Sequence, residues 1–185
     1  GLAALKKASG AKLYISKEDT DIMERGGKDD YLLGNSGLFP AVSVDRSIED
    51  GEVVSLGETR LTARVTAGHT QGCTTWTLQV EDAGAMLDVV IVCSVTVLSD
   101  VSLITEPSYP GIADDFHKTF DVLESLPCDV FLASHGQFFD LENKTKQLKE
   151  GAGVNPFIDP DRYTAYVAKG KKRFLDRLAK EKAEG

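Results

Sequence analysis

A histidine among small residues at the end of a strand-like run is the feature that most constrains this chain. His69 lies in residues 67–76, AGHTQGCTTW, between the strand-like runs 61–65 and 74–80. The nearby glycines let a ligand approach the backbone closely, and an imidazole at such a corner can bind a metal ion. For this residue alone, a turn histidine bonded to a nearby carbonyl is the simpler interpretation.

A second histidine occurs in the same setting. Residues 131–136, FLASHG, place His135 after a short apolar strand and small residues. We therefore expect both histidines on loops at the carboxyl ends of strands, where layered folds collect functional groups. The third histidine, His117, follows a buried-face position of the predicted helix 112–126, so we expect it to be exposed. Two histidines are fewer than the three or four protein ligands that zinc takes, and spacing alone identifies no further ligand.

Composition limits the class of protein and its partners. A chain of 185 residues, 42% hydrophobic and 27% charged, is long and apolar enough for one domain with a real core. We therefore expect residues 1–185 to belong to a single domain. The longest apolar run, 89–93, is too short to cross a bilayer. The net charge of −8 argues against nucleic acid and anionic membranes as partners. Cys73, Cys93 and Cys128 lack CxxC spacing, and their odd number leaves at least one thiol free or bonded outside the chain.

Strand-like and helical patterns alternate along the chain. Ser16 and Asp19 form a capping-box pattern for a helix through Met23, and residues 94–110 form a long loop of the kind that is usually functional or mobile. Further strands are predicted at 12–15, 42–48, 52–56, 60–65, 74–80, 86–92 and 129–133, and further helices at 2–8, 112–126, 141–150 and 163–180. This order indicates a sheet with flanking helices.

Several segments, taken in order, match one family. They are HTQGCTTW at 69–76, SYPGIADDF at 108–116, LPCDVFLASHG at 126–136 and NPFIDP at 155–160. Together they resemble the metallo-β-lactamases of subclass B3 over nearly the whole chain. The first residues, GLAAL, resemble the segment that directly succeeds the family's His-x-His-x-Asp-His signature. That signature does not occur in the sequence, so we expect an N-terminally truncated domain.

The resemblance implies a fold and a set of site residues. The fold is α+β, the four-layer αββα metallo-β-lactamase sandwich, of which this chain would form the C-terminal two-thirds. His69 resembles the third histidine of the first zinc site, and His135 resembles a ligand of the second zinc. Ser94 resembles the serine that subclass B3 has where subclass B1 has a cysteine ligand, and by the same match Ser94 and Thr96 would contact the substrate carboxylate. Cys128 matches a position that is bridged in some members, but its usual partner is missing, so we expect no such bridge.

The activity that the resemblance implies is zinc-dependent hydrolysis of the β-lactam amide bond, which confers antibiotic resistance. Two zinc ions are expected in the complete protein, and zinc lowers the pKa of a bound water to about 7, so that a metal-bound hydroxide attacks the carbonyl. The missing ligands would come from the N-terminal segment of the same protein, in the periplasm or outside the cell. Two alternatives stay open: another hydrolase of this fold, such as a lactonase or thioesterase, and a catalytically inactive fragment or scaffold.

Overall fold

The computed structural model describes residues 1–151 and 153–184. The helices are α1 (Leu2–Ser9), α2 (Lys17–Glu24), α3 (Ile112–Ser125), α4 (Leu141–Lys149) and α5 (Pro160–Glu184), with a short 3₁₀ turn at Gly136–Phe138. The strands are β1 (Tyr14–Ser16), β2 (Arg46–Ile48), β3 (Val53–Leu56), β4 (Thr59–Val65), β5 (Thr74–Asp82), β6 (Ala85–Val92) and β7 (Val130–Ala133). Among the helices of these two ranges, none is long and apolar enough to cross a membrane.

The strands form two sheets. β1 and β2 pair in parallel, and the other five strands form a sheet in the order β3-β4-β5-β6-β7. Neighbouring strands of this sheet are antiparallel, except that β6 and β7 are parallel and are connected through α3. The register pairs Val65 with Thr74, Trp76 with Ile91 and Val92 with Ala133. The end of β4, the start of β5 and the ends of β6 and β7 therefore lie at one end of the sheet.

The main core lies between the five-stranded sheet and helices α3 and α5. Val90 and Phe131 face these helices from adjacent strands and are fully buried. Phe116 and Phe120 of α3 stack on Phe174 of α5, with ring centroids 5.2 and 5.8 Å away. A smaller cluster of Leu87, Val89 and Val130 lies on the opposite face of the sheet. The alternation of side chains along each strand separates these two sets.

The α+β fold predicted from the sequence is confirmed, and the differences are local. The predicted strand 42–48 is shortened to Arg46–Ile48. The last helix starts earlier than the predicted residue 163 because Pro160 suits the first turn of a helix. The predicted exposure of His117 is confirmed, although one edge of its ring contacts Phe174.

Candidate metal and substrate site

Three loops emerge at the same end of the five-stranded sheet and carry all four predicted site residues. Residues 66–73 connect β4 to β5 and include His69. The chain leaving β6 carries Ser94 and Thr96, and the chain leaving β7 carries His135. The predicted position of these residues beyond strand ends is confirmed, because the strand register brings the three loops to one edge.

The ring of His69 is oriented by a hydrogen bond. Its Nδ1 lies 2.9 Å from the backbone oxygen of Thr96. A carbonyl oxygen only accepts hydrogen bonds, so Nδ1 carries a proton, and in the neutral imidazole Nε2 then keeps its lone pair. Metal-binding histidines commonly have such a partner on the second ring nitrogen. The carbonyl-bonded turn histidine and the metal ligand are therefore compatible interpretations of the same geometry.

Helix α3 fixes the backbone before His69. Gly68 has φ 132°, in a region that side chains other than glycine rarely adopt. A Cβ at this position would lie 2.8 Å from ring atoms of the buried Phe116. The Thr119 hydroxyl of the same helix donates to the Ala67 backbone oxygen at 2.7 Å. The path into His69 is therefore set by close packing and by one hydrogen bond from α3.

Asp19 fixes the backbone after His69. Its Oδ2 accepts a hydrogen bond from the Thr70 hydroxyl at 2.9 Å, and its Oδ1 accepts one from the Gly72 N–H at 3.0 Å. Burial raises the pKa of the Asp19 carboxyl group, while these two hydrogen bonds lower it by less. This carboxylate therefore connects the start of α2 to the His69 loop.

The hydrogen bonds that the capping-box pattern predicts for Ser16 and Asp19 are wrong, although the predicted start of the helix is right. Ser16 does precede the first residue of α2, but no cap bond from its side chain is found in the described part of the chain. The Asp19 carboxylate instead receives the two donors of the His69 loop. The sequence pattern suggested only a helix start, and nothing in it indicated partners more than 50 residues away.

Tyr31 also contacts the His69 loop, and no pattern in the sequence singled it out. Its hydroxyl donates to the His69 backbone oxygen at 3.4 Å. Its ring packs edge-on against Tyr109, with centroids 5.5 Å apart. Burial raises the pKa of Tyr31 to about 12, so the hydroxyl stays protonated and remains a donor at neutral pH.

A disulfide connects the two loops that carry His69 and Ser94. Cys73, which directly precedes β5, is bonded to Cys93, which directly succeeds β6, with Cα atoms 5.7 Å apart. Cys128 is the free cysteine within the described ranges, and burial raises the pKa of its thiol to about 12. This agrees with the odd number of cysteines, which leaves at least one thiol free or bonded outside the chain. The sequence alone had left the pairing of the other two open.

The two predicted substrate-binding residues form a small turn. The Ser94 Oγ accepts a hydrogen bond from the Thr96 N–H at 3.2 Å, and Ser94 is only 6% exposed. Thr96 is half-buried and its carbonyl orients the His69 ring. Ser94 therefore shapes the turn, while Thr96 is the more accessible of the two. Their contact with a substrate carboxylate stays a prediction.

The turn that carries His135 is held differently. His135 is exposed, and its ring lies edge-on to Phe138 with centroids 5.2 Å apart. The guanidinium group of Arg162 in α5 donates to the backbone oxygens of Phe138 at 3.0 Å and Gln137 at 3.3 Å. The backbone of this turn is thus fixed from α5, while the imidazole remains open to solvent.

His69 and His135 are the two predicted zinc ligands within the described ranges. Across residues 1–151 and 153–184, no group of three or more His, Cys, Asp or Glu side chains is placed to hold a metal ion. His69 nevertheless has the chemistry of a ligand, since its Nδ1 is bonded and its Nε2 is not the protonated nitrogen. The assignment of His69 and His135 as zinc ligands stays a prediction, and the described residues do not complete the site.

Comparison with known proteins identifies the family. The model of the metallo-beta-lactamase superfamily matches residues 1–135. The FEZ-1 metallo-beta-lactamase from Legionella gormanii is 40% identical, with a TM-score of 0.94 over 98% of this chain and 70% of that chain. BJP-1, a subclass B3 metallo-beta-lactamase of Bradyrhizobium japonicum, is 38% identical, with a TM-score of 0.89 over 100% of this chain and 69% of that one.

A third solved structure extends the agreement. The class B3 di-zinc metallo-beta-lactamase LRA-12, from an Alaskan soil metagenome, is 31% identical, with a TM-score of 0.85 over 96% of this chain and 67% of that chain. The chain belongs to the metallo-beta-lactamase superfamily, and its predicted resemblance to subclass B3 is confirmed.

Proposed function

We propose that the complete protein is a subclass B3 metallo-β-lactamase, which hydrolyses the β-lactam amide bond and confers antibiotic resistance. The observation that carries this proposal is the His69 loop, where Nδ1 is bonded to the Thr96 carbonyl and Nε2 remains available to a metal ion. The similarity to BJP-1 and to the di-zinc enzyme LRA-12 supports the same activity.

Each predicted site residue has a role in this proposal. His69 is a ligand of a first zinc ion and His135 of a second. The remaining ligands come from a segment of the complete protein that lies outside residues 1–185. Zinc, when bound, supplies the Lewis acidity that activates a water for attack on the amide carbonyl. Thr96 and Ser94 bind the substrate carboxylate, and Thr96 also holds the His69 imidazole through its backbone oxygen.

The proposal extends to the domain, the location and the partner of the enzyme. We propose that residues 1–185 are the C-terminal part of a single metallo-β-lactamase domain, and that the protein has a periplasmic or secreted location. The Cys73–Cys93 disulfide supports an oxidising compartment. The partner is a small-molecule β-lactam, and the net charge of −8 argues against nucleic acid or an anionic membrane.

His69→Ala in the complete protein tests the proposal, with His117→Ala as the matched control. Replacing His69 is expected to lower the zinc content and to reduce hydrolysis of a chromogenic cephalosporin by orders of magnitude. Replacing His117, which is exposed on α3, is expected to change neither quantity. Wild-type zinc content and turnover in His69→Ala would contradict the assignment.

A substrate panel separates the lactamase from other hydrolases of this fold. The complete protein is assayed against a penicillin, a cephalosporin, a carbapenem, a lactone and a thioester, before and after removal of zinc by a chelator. We expect hydrolysis of β-lactams that is lost with the chelator and restored by zinc. Preference for the lactone or the thioester would reassign the reaction, and inactivity of the zinc-loaded protein on all five would indicate a scaffold.

A further inference from the structure

We propose that Asp19 is a positioning residue for the His69 ligand. Its carboxylate fixes the loop after His69, so that the imidazole keeps the orientation in which Nε2 can bind zinc. This inference rests on the proposed function, because it assigns to Asp19 an effect on zinc affinity and turnover.

Both oxygens of the Asp19 carboxylate are paired with donors of the His69 loop. One accepts from the Thr70 hydroxyl and the other from the Gly72 N–H, at 2.9 and 3.0 Å. Two hydrogen bonds to the two oxygens of one carboxylate fix both distance and rotation, which a single bond cannot do. The donors lie one and three residues after His69, so this constraint acts directly on the loop that carries the ring.

The loop also approaches the start of α2 very closely. A Cβ at Gly72 would lie 2.6 Å from Cγ of Asp19 and would also overlap Oγ of Ser16. Gly72 does not have a positive φ, so space alone, and not backbone conformation, explains the glycine. Gly72 therefore leaves the space in which the Asp19 carboxylate can approach the loop and accept its hydrogen bonds.

Asp19 is a charged group that is half-buried where a helix surface would normally expose it. It belongs to an eight-residue helix with exposed acidic neighbours at Glu18 and Asp21. Burial raises the pKa of Asp19, which means that the protein bears a desolvation cost at this position. The two hydrogen bonds from the His69 loop compensate for that cost and depend on the same geometry.

The constraint reaches His69 through the turn around it. The Gly68 N–H donates to the Thr70 backbone oxygen at 3.0 Å, which closes a turn with His69 at its centre. Thr119 and Phe116 fix this turn on the Gly68 side, and Asp19 fixes it on the Thr70 side. Without Asp19 the turn loses its anchor on the Thr70 side, and the ring loses part of its orientation.

Asp19→Ala and Asp19→Asn in the complete protein test the inference, with Asp21→Ala as the matched control on the same helix. Asp21 is exposed and pairs with Arg25, so its removal leaves the His69 loop intact. We expect Asp19→Ala to lower zinc affinity, measured by competition with a chelator, and kcat by about 10–100-fold, as is typical for groups that orient metal ligands. Asp19→Asn is expected to lie between Asp19→Ala and wild type, because its amide oxygen still accepts from Gly72.

A readout on the zinc-free protein separates positioning from a purely structural role. Amide exchange at Gly72 and the ¹⁵N shifts of the His69 imidazole are measured by NMR. In Asp19→Ala we expect faster exchange and a smaller fraction of the Nδ1–H tautomer. A lower unfolding midpoint with zinc affinity, kcat and His69 shifts at wild-type values would overturn the inference.

Two further outcomes remain decisive. If Asp19→Ala does not fold, Thr70→Val removes one of the two bonds at lower cost, and a wild-type zinc affinity in that variant would refute the role of Asp19. If the wild-type complete protein neither binds zinc nor hydrolyses a β-lactam, the proposed function fails. The imidazole shifts of the Asp19 variants then still show whether Asp19 orients His69.

Discussion

The His69 loop and the His135 turn both come after a strand of the five-stranded sheet at the same edge, but they are fixed in different ways. The His69 ring is hydrogen-bonded to a backbone oxygen, and its loop is held by Asp19 of α2, by Thr119 of α3 and by a disulfide. The His135 ring is exposed, and two backbone oxygens of its turn accept hydrogen bonds from Arg162 of α5. A preorganised imidazole and an accessible one therefore lie at one edge of the sheet. Substitutions around His69 should therefore lower the free energy of unfolding more than equivalent substitutions around His135.

The largest expected effect is removal of the disulfide next to the His69 loop. Cys73→Ser combined with Cys93→Ser is expected to lower the free energy of unfolding by about 3 kcal/mol, because the bridge restricts the unfolded chain over its 20-residue separation. Urea titration measures this loss. Cys128→Ser is the control for serine replacement of a cysteine outside the bridge, with a smaller expected loss. If a reductant leaves the stability of the wild type unchanged, the bridge does not stabilise this loop.

The next effect comes from the backbone before His69. Gly68→Ala is expected to lower the free energy of unfolding by about 2 kcal/mol. The alanine must adopt an unfavourable φ, and its Cβ collides with the Phe116 ring. Gly84→Ala in the β5–β6 turn is the matched control, with positive φ but open space around it in the described structure, and should cost about 1 kcal/mol. Thermal unfolding of both variants gives the difference. Equal losses would show that Phe116 can move aside.

A smaller effect is expected at the anchor of the His135 turn. Arg162→Lys keeps the positive charge but loses the planar group that donates to two backbone oxygens, at a cost of about 1 kcal/mol. Urea unfolding measures the cost, and Arg173→Lys on the exposed side of α5 is the control. A loss as large as that of the disulfide would mean that the two regions are equally fixed.

The smallest effect is expected from the glycine of the His135 turn. In Gly136→Ala the three atoms nearest to the new Cβ all belong to the side chain of Leu141, at 2.9–3.5 Å, and Leu141 is exposed enough to shift by the few tenths of an ångström required. We expect a loss of roughly 0.5 kcal/mol, below that of Gly68→Ala, because no positive φ is required. A larger loss than for Gly68→Ala, measured by the same thermal unfolding, would reverse the comparison.

Local sequence patterns identify the two histidines but not the groups that hold them. His69 and His135 can be found from the sequence because each follows a strand end and small residues, and this pattern is local. Periodicity identifies α3 and the exposed side of His117 for the same reason. The partners of His69 could not be found in this way. Thr96 and Asp19 approach it only because of strand register and the position of α2, and the same holds for the pairing of Cys73 with Cys93.

The capping-box pattern is the most instructive error. Ser16 and Asp19 have the right spacing for reciprocal caps, and α2 does begin at Lys17. The bonding preference of a carboxylate is not decided locally, however, when a hydroxyl and a backbone N–H from a distant loop compete for it. Asp19, for which the sequence indicated only a local capping role, is therefore the residue that connects α2 to the candidate site.

Zinc titration of the ¹⁵N-labelled complete protein, followed by NMR of the histidine rings, tests most directly whether His69 is a metal ligand. We expect zinc to shift the Nε2 resonance of His69 strongly while its Nδ1 keeps the proton that is bonded to Thr96. The exposed His117 should not respond. If the His69 resonances stay unchanged while the protein binds zinc, the metal is held elsewhere and His69 is an ordinary turn histidine.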